Sequence, residues 1–180
     1  IGPISIGMHF NPYGESLVSN KNKIRLEMAD SDPRHDQLFS LTWTLAIFIQ
    51  SINKESKFFT FNSIYGHHGI LNKDNTKRPL YHLNNFLISL SNSEIYKFNP
   101  VNEVYGLKIV LNDKNYYLFV NSSKQKKEIN IPEINFSNQF KLNLKNYTDI
   151  FNNDFSFFNF KKDTNPYAFE PLEIKFIEDK

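Results

Sequence analysis

Two clusters of polar side chains in this sequence have the types that hydrolytic chemistry uses. The first is His9, Asn11 and Tyr13, followed by Asp30, Asp32, Arg34 and His35. The second is Asn62, Tyr65, His67 and His68, followed by Asp74. An imidazole titrates near neutrality, so a histidine here could take a proton from water as a general base. Asn, Tyr and Arg side chains can donate to a developing oxyanion or hold a carboxylate. Each residue also has a plainer reading. His9 could be a core histidine, Asn11 a turn residue beside Pro12, and Asp32 a helix cap with Arg34 serving the same helix start. His67 and His68 could be solvated loop residues.

Several chemistries are argued against. His9, His67 and His68 could meet around a metal with Asp30 or Asp74, but adjacent histidines point apart on an extended chain and no HExxH spacing occurs. No metal and no cofactor is expected. Ser63 lies in no GxSxG elbow, and the chain has no cysteine. A retaining glycosidase needs two carboxylic acids about 5 Å apart. Neither His9-Phe10-Asn11 nor Asn62-Ser63-Ile64-Tyr65 supplies one.

The elements that must position these residues follow from periodicity. Residues 1–10 read as a strand apolar on both faces, ended by Asn11-Pro12-Tyr13-Gly14. A long polar loop leads to the stretch from Asp32 to Asn53, the plainest helix signal in the chain, with Pro33 at its start and no charge between Asp36 and Lys54. Such a helix must be covered on most sides. After a short turn, Lys57 to Tyr65 reads as a second strand, a second long loop follows, and Arg78 to Leu90 is an amphipathic helix. Long loops after strands and a short one after a helix are the pattern of a (β/α) barrel, whose active site is built on the loops that leave the strands. Residues 1–92 are therefore expected to be the last two βα units of a TIM-type barrel. An open doubly wound sheet would show the same local order, although no Gly-rich phosphate fingerprint follows either strand.

From residue 93 the period changes to two. Glu103 to Leu111 and Tyr116 to Asn121 flank a turn at Asn112 to Asn115. Lys127 to Ile131, Gln139 to Leu144, Phe155 to Phe160 and Pro171 to Ile177 continue as short segments, predicting an antiparallel β-sandwich domain over residues 93–180. The fold class is thus α/β plus all-β. With 180 residues, 18 of them Phe and 9 Tyr, a substantial core is available. A formal charge of +2 gives no argument for nucleic acid or a membrane as partner. Starting at Ile1 in the approach to a strand, the chain reads as a fragment of a longer protein, with the cytoplasm as the expected compartment.

GMHFNPYG (Gly7 to Gly14), DPRHDQLFSLTWTL (Asp32 to Leu45), TFNSIYGHHGI (Thr60 to Ile70) and RPLYHLNNFL (Arg78 to Leu87) together resemble the bacterial D-apionate lactonase family. The matching positions are Asn11, Asp32, Arg34, Trp43, Gly66 and Gly69. The family's first motif carries Arg before FNP, where this chain has His9. The resemblance implies a glycosidase-like TIM barrel followed by a β-domain, and a hydrolase that opens the lactone of a sugar acid. It implies a small carbohydrate or sugar-acid lactone as partner. His9 and His67 are then the expected catalytic groups, with Asn11, Tyr13, Arg34, Tyr65 and His68 binding substrate. A glycoside hydrolase of the same barrel lineage and a non-catalytic carbohydrate-binding or structural remnant are the alternatives.

Overall fold

A computed structural model describes residues 21–22, 32–53, 55, 59–66, 68–130, 134, 136–152, 154–162 and 167–179. The expected first strand, with His9, Asn11 and Tyr13, lies outside the described residues, as do Asp30 and His67.

The helix expected from Asp32 onward is broken in two. Pro33–Asp36 form one 3-10 turn, and helix α1 runs over Leu38–Ser51. Between them Gln37 is extended, at φ −114° and ψ 160°. Local side-chain bonds hold the break. The Asp32 carboxylate accepts the Arg34 N–H at 2.9 Å, and Ser40 Oγ donates to the carbonyls of His35 and Gln37, both at 2.9 Å. Leu38, Leu41, Leu45 and Ile49 are fully buried, and so are Ser40, Thr42 and Thr44. The charge-free helix is therefore covered around most of its circumference. Helix α2, Pro79–Ser89, has Pro79 at its first position and buries Leu80, Leu83 and Phe86.

The strand expected over 57–65 does not form among the described residues of that stretch. Asn62 takes a left-handed φ of +39°, which interrupts the extended backbone, and Ser63 makes an isolated bridge to Gly69.

The remainder is a five-stranded antiparallel sheet in the order β1-β2-β3-β7-β5, with β1 at Glu94–Lys97, β2 at Val104–Leu111, β3 at Lys114–Asn121, β5 at Phe136–Leu142 and β7 at Ile174–Asp179. A two-stranded ribbon pairs β4, Lys127–Glu128, with β6, Ala168–Phe169. The β2–β3 hairpin turns on two residues rather than four, Asn112 and Asp113, both with positive φ. Phe155 to Phe160, expected as a strand, is irregular. Its amides bond locally, Asn159 N–H to the Ser156 carbonyl at 3.2 Å and Phe160 N–H to the Phe158 carbonyl at 2.9 Å, while the rings of Phe155, Phe157 and Phe160 pack into the core.

The apolar alternation proves to serve a helix layer as well as a second sheet. Leu107, Ile109, Leu118, Val120, Leu142, Ile174 and Phe176 share one buried cluster with the apolar faces of α1 and α2. Phe86 of α2 meets Phe176 at 4.9 Å between centroids and Phe157 at 4.5 Å. A smaller cluster of Val104, Tyr117, Phe119, Ile129, Ile134, Phe169 and Ile177 joins the sheet to Phe169 of the ribbon. The order is helices, five-stranded sheet, ribbon, in place of two comparable sheets face to face. Lys97 of β1 ties the layers together by donating to the carbonyls of Gln50 (3.1 Å) and Ile52 (2.9 Å) at the open end of α1.

Candidate active site

Asp32, Arg34 and His35, the later part of the first polar cluster, gather at the entrance to α1. Asp32 is buried, and its carboxylate is gripped by the Arg34 guanidinium, with Nε 3.0 Å from Oδ1 and 3.1 Å from Oδ2. That two-point contact holds the Asp32 carboxyl below the usual carboxylate range and raises Arg34 in turn. The Arg34 side chain is half-exposed. One edge of its guanidinium is taken by Asp32, which fixes the direction of the other. The Phe39 ring supports it, 5.6 Å from the guanidinium carbon.

One residue further on, His35 is fully buried. Its Nε2 lies 3.2 Å from Nδ1 of His68, which arrives from the loop between Asn62 and Arg78. The rings are 5.2 Å apart and tilted by 54°. Two imidazole nitrogens at this distance share a single hydrogen, so one ring donates and the other accepts. The pair can pass or hold a proton at the boundary between core and surface.

The loop that delivers His68 is built tightly. Gly69 N–H donates to the Gly66 carbonyl (3.0 Å), Ile70 N–H to Ser63 (3.0 Å) and Leu71 N–H to Ile64 (2.9 Å). A Cβ at Gly69 would sit 2.5 Å from the Tyr65 carbonyl carbon, so no other residue fits. Gly66 takes φ +97°, a conformation that side chains disfavour. Arg78 closes the arrangement. It donates to the Gly69 carbonyl at 3.3 Å and pairs with Asp36, Nε to Oδ1 at 3.1 Å. His35, His68, Asp36 and Arg78 thus belong to one interlocked unit.

Two clefts open beside it. One of about 460 Å³ is lined by Gly66, Asn72, Lys73, Asp74 and Arg78. The other, of about 590 Å³, includes Asp36, Thr76, Lys77 and His82 in its wall. Both fall in the size range of small-molecule sites. Asp74 is engaged by its own loop, accepting from Thr76 Oγ1 at 2.7 Å and Thr76 N–H at 3.0 Å, which keeps its carboxyl low. His82 is half-buried on α2, and burial, with Lys77 adding to it, pushes its pKa down.

Of the sequence candidates, His68 comes into this unit, and Arg34 stands next to it in the chain, paired with Asp32. Tyr65 stands exposed on the same loop, with its carbonyl accepting from Ser63 Oγ at 3.0 Å. His9, His67, Asn11 and Tyr13 lie outside the described residues. Sequence reasoning named His35 only as a later member of the first cluster, and it assigned no site role to Asp36, Arg78 or His82. The DPRHD run held the signal for the first two, because a 3-10 turn carries the third residue after its cap back toward the core. Among the described residues, no group of three or more His, Asp or Glu is placed to hold a metal ion. Among the same residues, no helix is long and apolar enough to cross a membrane.

The chain overlays a GH30 endoxylanase from Clostridium papyrosolvens C71 with a TM-score of 0.55 at 10% identity, covering 86% of this chain and 40% of that one. A glycoside hydrolase family 30 subfamily 8 xylanase from Clostridium acetobutylicum gives 0.52 at 12% identity, covering 86% and 41%. At such identities the likeness is one of fold, a TIM barrel with a β-domain. The D-apionate lactonase of Brucella anthropi is 34% identical over 87 residues, which are 45% of this chain and 14% of that protein. The chain therefore spans a small part of the length of the curated relative it matches. Residues 1–92, which carry the Asp32–Arg34 clamp and the His35–His68 pair, match the family model "D-apionate lactonase, TIM barrel domain", and the chain belongs to that family.

Proposed function

We propose that this chain forms part of a hydrolase that opens a carbohydrate lactone, a D-apionolactone-like sugar-acid lactone, to the free acid. The observation that carries the reading is the His35–His68 contact, placed beside the Arg34 clamp in the segment related to D-apionate lactonase. Lactone opening requires a base to take a proton from the attacking water, donors for the oxyanion, and a proton for the departing ring oxygen. His68, held by a buried partner, is suited to the first task. The water's proton goes onto the His68 imidazole as its oxygen adds to the carbonyl carbon, and that proton passes to the departing ring oxygen as the ester bond breaks. Arg34, aimed by Asp32, is suited to the carboxylate or hydroxyls of the sugar acid. His9 and His67 are the other candidates for base or polariser, with Asn11, Tyr13 and Tyr65 as further substrate ligands. In this reading residues 1–92 complete the barrel and residues 93–180 form the β-domain.

A panel of aldonolactones, including D-apionolactone, with aryl glycosides in parallel, tests the proposal on the intact protein. Proton release on lactones well above the spontaneous rate, without glycoside cleavage, supports it. Glycoside cleavage would favour the second reading, a glycoside hydrolase, to which the overlay on the two xylanases gives its one specific support.

A further inference from the structure

A second polar groove lies on the β-domain, away from the histidine pair. It has a volume of about 480 Å³ and runs between β5, the turn at Tyr147–Phe151 and residues 154–162. Gln139 of β5 forms part of its wall. The backbone of Gln139 is fully paired, exchanging two bonds of 2.9 Å with Lys161, and its side chain is buried with 4% exposure. Yet Oε1 of that side chain accepts no hydrogen bond. A buried carbonyl oxygen without a donor is unfavourable, so such a group in a groove wall suits a ligand that donates.

The rest of the lining narrows the class. Asp149 and Asp154 offer acceptors, Lys161 and Lys162 offer donors, and the half-buried Phe155 supplies an apolar surface. An anion would meet the two carboxylates, and a cation the lysines. A neutral polyol suits both, because each hydroxyl donates and accepts, and the C–H face of a pyranose or furanose ring lies well on an aromatic side chain. We propose that this groove is a non-catalytic binding site for a neutral sugar, which donates a hydroxyl hydrogen to Gln139 Oε1.

The test is saturation-transfer NMR on the intact protein, with D-glucose, D-xylose and D-galactose as probes and competition titrations for affinity. At least one of the three is expected to receive saturation. Gln139→Leu, which keeps the volume and removes the acceptor, should weaken that sugar by about tenfold, with lactone turnover unchanged. Asp154→Ala, at an exposed position that does not threaten folding, should weaken it by a few-fold. Absence of saturation from all three sugars would overturn the proposal. So would a Gln139→Leu protein, folded by circular dichroism, that binds sugar like the wild type, or saturation that both variants leave unaltered. None of these outcomes bears on lactone opening, so the two readings fail separately.

Discussion

Arg78, the residue before α2, reaches Asp36 at the end of the 3-10 turn, with Nε 3.1 Å from Oδ1 and Nη2 3.3 Å from Oδ2. The same guanidinium donates to the Gly69 carbonyl. One side chain therefore fixes the loop that carries His68 to the turn that carries His35, and the 3.2 Å contact between the two rings depends on that geometry. Replacing Arg78 by Ala should loosen the pair as well as remove a charge. Arg78→Ala is expected to lower lactone turnover by about tenfold or more while leaving the far-UV circular dichroism intact, since misplacement by an ångström is costly in catalysis. Unchanged turnover would separate the clamp from the chemistry.

The histidine pair itself gives a sharper outcome. His68→Ala should cut kcat by about 10²-fold, the usual contribution of a general base. His35→Gln preserves a hydrogen-bonding neighbour but cannot exchange a proton. It should leave KM near wild type, lower kcat and move the pH–rate profile. A His35→Gln enzyme with a wild-type pH profile would reduce His35 to packing. Parallel His9→Ala and His67→Ala variants decide whether either of those residues is the base instead.

Acid stability tests the Asp32–Arg34 clamp. Asp32 titrates lower in the folded chain than its ordinary value of 3.8, chiefly through the Arg34 hydrogen bond. The unfolded state then binds the proton more tightly. The contribution is complete above the ordinary carboxylate range and is lost as pH falls through the lowered value. In Arg34→Gln the burial of Asp32 is no longer offset, so the acid transition followed by circular dichroism should begin at a higher pH. An unmoved transition would show that the clamp contributes nothing to folding.

His82 titrates at the next higher window. Burial lowers its pKa from the ordinary 6.5, so the folded state prefers it neutral. Stability from this group is full above 6.5 and falls as pH drops through that value toward the lowered one. His82→Phe should flatten the dependence of Tm on pH in that interval, without a change near neutrality beyond what packing against Phe155 brings. A wild-type slope in the variant would contradict the assignment.

The shared core predicts cooperative unfolding. Leu45 of α1 and Leu118 of β3 are both fully exposure-free and belong to one cluster. Truncation of either to Ala should cost about 2–5 kcal/mol and shift a single transition, read by both Trp43 fluorescence and the sheet signal. Two separated transitions would mean that helices and sheet unfold independently.

The chain itself determined a good deal. The absence of charge from Asp36 to Lys54 required α1 to be covered on most sides, and the period-two pattern after residue 93 placed β2, β3, β5 and β7 within a few residues. The run Asn112 to Asn115 marked the hairpin, and the structure narrows its turn to Asn112 and Asp113, which tolerate the positive φ that a two-residue turn needs. The motifs DPRHDQLFSLTWTL and TFNSIYGHHGI pointed to the family that residues 1–92 match.

Tertiary structure decided the rest. Alternation states that one face of a strand is buried but not what buries it, and here helices α1 and α2 occupy much of the space assigned to a second sheet. The aromatic run from Phe155 to Phe160 has the composition of a strand, yet its rings do more by filling the space beside Phe86, Phe140 and Phe176 than its backbone would by pairing. The meeting of His35 with His68 joins residues 33 positions apart. No local periodicity encodes that contact, because it follows from where Arg78, Gly66 and Gly69 pin one loop against another. Spacing named the residue types that such a site would need, and packing chose which of them touch.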